Sequence, residues 1–228
     1  MRPEEAQKLS RIILNFRDES AQNLKILNIG SSTAHFREVI QPHVKTMLID
    51  PCENVGCIFI NHDIKHDIGV DIVGDLLDTK VVDVLKNLDC DIIVASNILE
   101  HIERAQLDNF IVALKKIVAK GKVVIITVPF SYPIHFDPID TYFRPSPDEL
   151  VSFFTGFCIL DRGVLSSGPY WNDFVKLPAW GQVRILTRLL LPFYKPKSWL
   201  SVAHRFLWLF RKYQITFVVL RNQGGCKT

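Results

Sequence analysis

The chain of 228 residues reads as an α/β protein with a doubly wound, mostly parallel sheet. Three observations predict this. Short runs rich in Ile and Val alternate with amphipathic stretches of helical period. The first such run ends in a glycine and passes directly into a helical stretch, "LNIGSSTAHFRE" at 27–38. The composition, 48% apolar and 22% charged, is that of a globular chain able to cover both faces of a sheet. Alternation of this kind implies right-handed crossovers between parallel strands, with ligands beyond the strands' carboxyl ends.

The elements follow in order. Residues 3–18 place Ala6, Leu9, Ile12, Ile13 and Phe16 on one helical face, beginning at Pro3, so 1–20 form an N-terminal helix. "LKILNIG" (24–30) is a buried strand and "AHFREVIQ" (34–41) the helix after it. Strands are predicted at 56–63, 70–75 and 90–97. Residues 105–121 form a helix with Lys115, Lys116 and Lys120 near its end and Gly121 to close it. "KVVIITVPF" (122–130) is almost wholly apolar and so central. Ser146 and Glu149 make a capping box for a helix over 146–157, and strands follow at 158–165 and 214–222. No repeat or low-complexity linker divides 1–228, which reads as a single domain.

The five cysteines are scattered and none sits in a CxxC pair, so we expect reduced thiols in a cytoplasmic protein and no metal centre. The opening "MRPEEAQKLSRIILNF" is too charged for a signal peptide. The net charge of +3 hides an asymmetry. Ten of the 27 basic residues and none of the 24 acidic ones lie in 174–228, leaving 17 − 24 = −7 for the first 173 residues. A basic tail of this kind suits an anionic partner.

Candidate functional residues are those just after strands. Gly30 removes a Cβ where a cofactor would approach, and Ser31, Ser32 and Thr33 add small hydroxyls beside free helix N–H groups. An ordinary βα turn accounts for the loop equally well. An acid after the second strand suits a ribose diol. Asp50, 20 residues after Gly30, and Asp63, 33 after it, compete for that role.

The stretches "NHDIKHDIGVDIVGDLLD", "CDIIVASNILEHIE" and "GKVVIITVPFSYPIHFDPIDTYFRPSPDEL" follow one another as strand-end motifs. Together they resemble class I S-adenosylmethionine-dependent methyltransferases, of the methyltransferase type 11-like branch whose fourth strand leads into "LEH". The resemblance covers roughly 24–160, with 214–222 as the family's final antiparallel strand. It implies a Rossmann-like, mostly parallel seven-stranded sheet, with an antiparallel final strand and a helical insertion before it. It implies S-adenosyl-L-methionine as cofactor, with Asn28, Gly30, Ser31, Ser32, Asp63, Asp75, Leu76, Ser96 and Asn97 around it. The register Asp63–Asp75 favours Asp63 over Asp50 and makes 43–57 an extra excursion. The family's proline–histidine–proline–aspartate–arginine series falls on Pro129, His135, Pro138, Asp140 and Arg144, with one extra residue before Arg144. The departures are Asn28 in place of an acid, and Ser32 and Ala34 in place of glycines.

A hydroxyl or amine acceptor of a methyl group needs a base near its proton. His135 and His101 are the candidate catalytic residues, with Asp140 a third candidate base. Each histidine has a structural reading beside the catalytic one: His101 bonded to backbone, His135 fixing its loop. Asp140 and Arg144 fit best as a pair pinning that loop. The expected acceptor is a small molecule, a saccharide or a lipid-linked group. The competing reading is an inactive cofactor-fold scaffold. A nicotinamide-dependent dehydrogenase would need a fuller GxGxxG than "GSSTAH" supplies. Nucleic-acid binding is not expected, since the basic residues are interleaved with large apolar ones. Residues 177–213 form a basic, apolar helical insertion. Pro192 and Pro196 split it into pieces near 180–191 and 198–212, each too short to span a bilayer. It suits a peripheral contact with the inner face of the cytoplasmic membrane, or else a lid or dimer surface. The oligomeric state stays open.

Overall fold

The structure, a computed structural model, describes residues 1–18, 23–133, 139–191, 193, 199–200, 203–204 and 206–224. Seven strands form one sheet: β1 (Lys25–Ile29), β2 (Ile58–Asp63), β3 (Ile72–Val73), β4 (Ile92–Ser96), β5 (Val123–Ser131), β6 (Phe157–Pro169) and β7 (Lys212–Asn222). Their order is β3-β2-β1-β4-β5-β7-β6. The first five pair in parallel, and β7 runs antiparallel between β5 and β6. This is the sheet the sequence predicts. The chain leaves β1 toward β2 but returns to β1's other side for β4, so a crevice opens at the carboxyl ends of β1 and β4.

Strand side chains alternate between two cores. Leu27, Ile93, Val124 and Ile126 face one layer with Leu85 of α4 (Thr79–Asn87), Leu114 of α5 (Leu107–Ile117) and Leu150 of α6 (Pro147–Ser152). Ile26, Val94 and Ile125 face the other, with Leu9 and Ile13 of α1 (Pro3–Asp18). Burial on both sides is why the central strands carry almost no polar residues. The capping box of α6 is formed, Ser146 Oγ accepting from Glu149 N and Glu149 returning the bond.

Four expectations are revised. The helix at 34–41 and the excursion at 43–57 are one wound crossover. Wide turns at Phe36–Ile40 and Lys45–Ile49 alternate with α2 (Pro42–Val44) and α3 (Asp50–Glu53). Pro42 and Pro51 cannot donate backbone bonds, which breaks the regular ladder. Helix α4 was not anticipated; its buried positions are only Val82 and Leu85, too few for a clear period, and Asp78 caps it through Lys80 N. Strand β6 runs four residues beyond 165, through Gly168, into α7 (Tyr170–Val175). In the insertion, α8 (Ala179–Leu189) is formed, but no helix reaches 212: residues 207–211 turn and bend, and β7 already begins at Lys212. Parts of the 198–212 piece lie outside the described residues.

Candidate functional site

The sheet order puts the predicted cofactor residues in one row. Asp75 and Leu76 follow β3, Asp63 ends β2, Asn28 and Gly30 end β1, and Ser96 and Asn97 end β4. Asp50 lies outside the row, on α3, paired with Lys45 at 3.3 Å.

The loop after β1 keeps the shape that glycines would give it. Gly30 has φ +69° and Ser32 has φ +57°, so a serine holds the left-handed conformation. Several contacts compensate. Ser32 N donates to Asp63 Oδ2 at 2.7 Å, Ser31 N to His62 O at 3.0 Å, and Ala34 N to Ile68 O at 2.8 Å. Arg37 is buried behind the loop. Its Nη1 donates to Ser31 O and Ser32 O, and its Nη2 to Gly69 O at 2.7 Å. Gly69 has φ +82°, and a Cβ there would stand 2.6 Å from Ala34 Cβ and 2.8 Å from Arg37 Nη2. Burial lowers the pKa of Arg37, against the pull of the Asp71, Glu38 and Asp63 charges. Sequence reasoning missed this Arg37–Gly69 clamp. The one available signal was an arginine on the helix whose loop lacks glycines.

Asn28 replaces the usual acid and donates to Asn61 Oδ1 at 3.1 Å, and Asn61 N donates in turn to Asp71 Oδ2 at 2.7 Å. The row keeps a carboxylate one step further out. Over Gly30 lies the tip of Ile98, whose Cδ1 would be 2.5 Å from an added Cβ. Asp75 Oδ1 accepts from Leu77 N at 2.9 Å, and Leu76 is buried. Behind Asp63, His62 is buried with neither ring nitrogen hydrogen-bonded, and burial lowers its pKa.

At the ends of β4 and β5 two carboxylates are buried beneath the surface. Glu5, on α1, is buried, and its Oε1 accepts from Ser96 Oγ (2.9 Å), Asn97 Nδ2 (2.7 Å) and Thr127 Oγ1 (2.6 Å). This explains why the ends of β4 and β5 can carry polar side chains in a buried layer. Glu100, in the turn Leu99–His101, is fully buried and neither carboxyl oxygen has a hydrogen-bond partner. Burial pushes its pKa up to about 8, against the pull of Arg144 and with the charge of Glu5 adding to the rise.

The turn carrying Glu100 is clasped to the segment after β5. Thr141 N and Oγ1 donate to Glu100 O at 2.8 and 3.0 Å, and Arg104 Nη2 to Tyr142 O at 3.1 Å. His101 Nδ1 donates to Ile139 O, which turns Nε2 toward Glu100 Oε1, 3.9 Å away. Asp140 and Arg144 form a buried ion pair at 2.6 Å, the pinning role their spacing suggested. His135 and Pro138 lie outside the described residues. Cys52, Cys57, Cys90 and Cys158 are free thiols, and among the described residues no His/Cys/Asp/Glu group could hold a metal ion.

No protein-family model and no curated protein sequence matches the chain. Solved structures match at the level of fold. TehB from Haemophilus influenzae aligns with a TM-score of 0.51 at 10% identity, over 93% of this chain and 62% of that one. The CurJ carbon methyltransferase aligns at 0.52 and 11% identity, over 95% of this chain and 54% of that one. The chain therefore spans less than two thirds of the length of both. The fold is the seven-stranded, Rossmann-like sheet with antiparallel β7 that such methyltransferase structures share.

Proposed function

We propose that the chain is a cytoplasmic S-adenosylmethionine-dependent methyltransferase acting on a small-molecule, saccharide or lipid-linked acceptor. The observation that carries the reading is the row Asp75–Asp63–Gly30–Ser96 along four adjacent strand ends. Its residues fit the cofactor. Gly30 lets the chain turn at φ +69° beneath Ile98, Asp63 has carboxylate lone pairs left beyond those used by Ser32 N and Lys65 N, and Asp75 stands one strand further out. Asp63 would hold the ribose diol and Asp75 with Leu76 the base. Asn28, Gly30, Ser31, Ser32, Ser96 and Asn97 would flank the amino-acid end.

The bound cofactor supplies an activated methyl group with a good leaving group. The chain's own part is alignment, which can account for about 7–11 kcal/mol of a displacement barrier. The acceptor would lie over the ends of β4 and β5, beside the segment after β5. His101 and His135 are the proposed proton acceptors. For His101 the bond to Ile139 O leaves Nε2 as the basic nitrogen.

One observation favours the inactive reading: Ser31, Ser32 and Ala34 already use their amides inside the protein. Titration with S-adenosylhomocysteine separates the two. The enzyme reading expects binding in the micromolar range. It expects a loss of about 100-fold or more in Gly30→Val, which puts a branched residue at φ +69° against Ile98. No binding at high micromolar ligand would leave the scaffold.

A further inference from the structure

The outer face of the insertion exposes a run of large apolar side chains that the proposed chemistry does not use. Helix α8 is apolar on both its inner and its outer face. Its inner face turns the buried Gly181 and the half-buried Ile185 and Leu189 toward the protein, with Ile185 packed against the cluster formed by Tyr170, Phe174, Trp208 and Tyr213. Its outer face should then be polar. It carries Trp180, 67% exposed, with Val183, Leu186 and, just past its end, Leu190, 78% exposed. Phe193 beyond it is 97% exposed. On the neighbouring turn Leu207 and Phe210 stand out, with Phe210 against Trp171 of α7 at 6.1 Å. Single exposed apolar residues are ordinary, but a run of this size on adjoining elements marks a contact surface.

The charge around it selects the partner. Lys176, Arg184, Arg211 and Lys212 are exposed on the same elements, and no acidic residue follows Asp173. Arg184 and Arg211 lie over the rings of Trp180 and Trp208. A surface mixing Trp, Phe and Leu with net positive charge, Asp173 of α7 being paired with Arg2, is complementary to an anionic bilayer, where rings enter the acyl boundary and cations meet the headgroups. A second copy of the chain would bring the same positive charge to the contact and repel. α8 has 11 residues, and among the described residues no helix is long and apolar enough to cross a membrane, so the contact is one of lying in the interface.

We infer that α7, α8 and the turn at 207–211 form a docking surface for an anionic lipid bilayer. The surface stands on the carboxyl-end side of the sheet. β6 runs parallel to β5 and ends at Pro169, where α7 starts, and Tyr170 N and Trp171 N bond back to Trp208 O and Leu209 O. Docking would therefore hold the β4–β5 strand ends beside the bilayer. This deepens the proposed function by favouring, within it, a lipid-linked acceptor.

The test is co-sedimentation of the full chain with phosphatidylglycerol vesicles and with phosphatidylcholine vesicles. We expect binding to the first, weaker binding to the second, and a several-fold loss on raising salt from 0.05 to 0.5 M, figures chosen as roughly a threefold change in Debye length. Arg184→Ala should lose about fivefold. Phe193→Asp with Leu190→Asp, at positions already in water, should lose roughly tenfold or more with an unchanged melting temperature. Failure of the wild-type chain to bind phosphatidylglycerol vesicles at low salt overturns the inference. So does a stable dimer that the same two substitutions dissolve. Binding of S-adenosylhomocysteine is measured alongside: if it persists while vesicle binding fails, only the docking surface falls.

Discussion

The two halves of the sheet's carboxyl edge treat their side chains in opposite ways. Along β3, β2, β1 and β4, polar groups are gathered in and bonded: Arg37 holds three carbonyls, Asp63 takes two backbone amides, and Glu5 takes two hydroxyls and an amide. Along β7 and β6, apolar groups are left in water, with Phe193, Phe210 and Leu190 almost bare. The first half is pre-ordered, so that binding of the proposed cofactor there would order little more of the chain. The second has unburied apolar area with no partner for it among the described residues. Glu100, like His62, is an exception in the first half: a buried carboxyl with no hydrogen bond to either oxygen.

That exception gives the largest expected effect. A carboxyl whose folded pKa is raised from 4.5 to about 8 holds its proton longer in the folded than in the unfolded chain. Its stabilising contribution is complete below pH 4.5 and is lost as pH rises through about 8. Glu100→Gln should abolish that fall, and at pH 9 should be more stable than the wild type by up to roughly 5 kcal/mol. Urea unfolding from pH 5 to 9 measures it. Parallel curves for the two chains would mean that Glu100 is bonded after all.

The next effect sharpens the ordered half. Arg37→Ala leaves the carbonyls of Ser31, Ser32 and Gly69 without their cationic donor. We expect a loss of about 2–4 kcal/mol in stability and roughly tenfold in S-adenosylhomocysteine affinity. Val82→Ala, a core truncation remote from the loop, should lower stability without the affinity loss. Equal affinity losses in both would make the clamp merely structural. The smallest effect distinguishes two acids. Asp63→Ala should cost about 1–3 kcal/mol of cofactor affinity, and Asp50→Ala, a surface partner of Lys45, within about 0.5 kcal/mol of none. Calorimetric titration reads both.

Much of this arrangement was legible because strand and helix periods differ so clearly here. The Val/Ile runs of β4 and β5, the glycine closing β1 and the Ser146–Glu149 capping box each encode their element locally. The strand-end acids were legible as a register, Asp63 to Asp75, although only the sheet order brings them side by side. What escaped reading depends on distant partners. The crossover at 36–53 has two prolines and no single period. Glu5 looks like an ordinary first-turn helix acid, and only packing of α1 against β4 and β5 carries it to Ser96 and Thr127. Arg37 and Gly69 are 32 residues apart and meet only once β2 lies beside β1. The second insertion helix was overextended because β7 takes Lys212, a boundary set by pairing with Pro169 of β6.

The central claim is that the strand-end row holds the cofactor. Amide chemical-shift mapping of the isotope-labelled chain during titration with S-adenosylhomocysteine tests it most directly. The account predicts saturable shifts at Gly30–Ser32, Asp63, Asp75 and Ser96–Ile98, with α4 and α5 quiet on their outer faces. A groove of about 430 Å³ between those helices, lined by Leu76, Leu77, Asp83, Asn109 and Lys116, is the rival place for a small molecule. Shifts centred on that groove, or none at saturating ligand, would contradict the account.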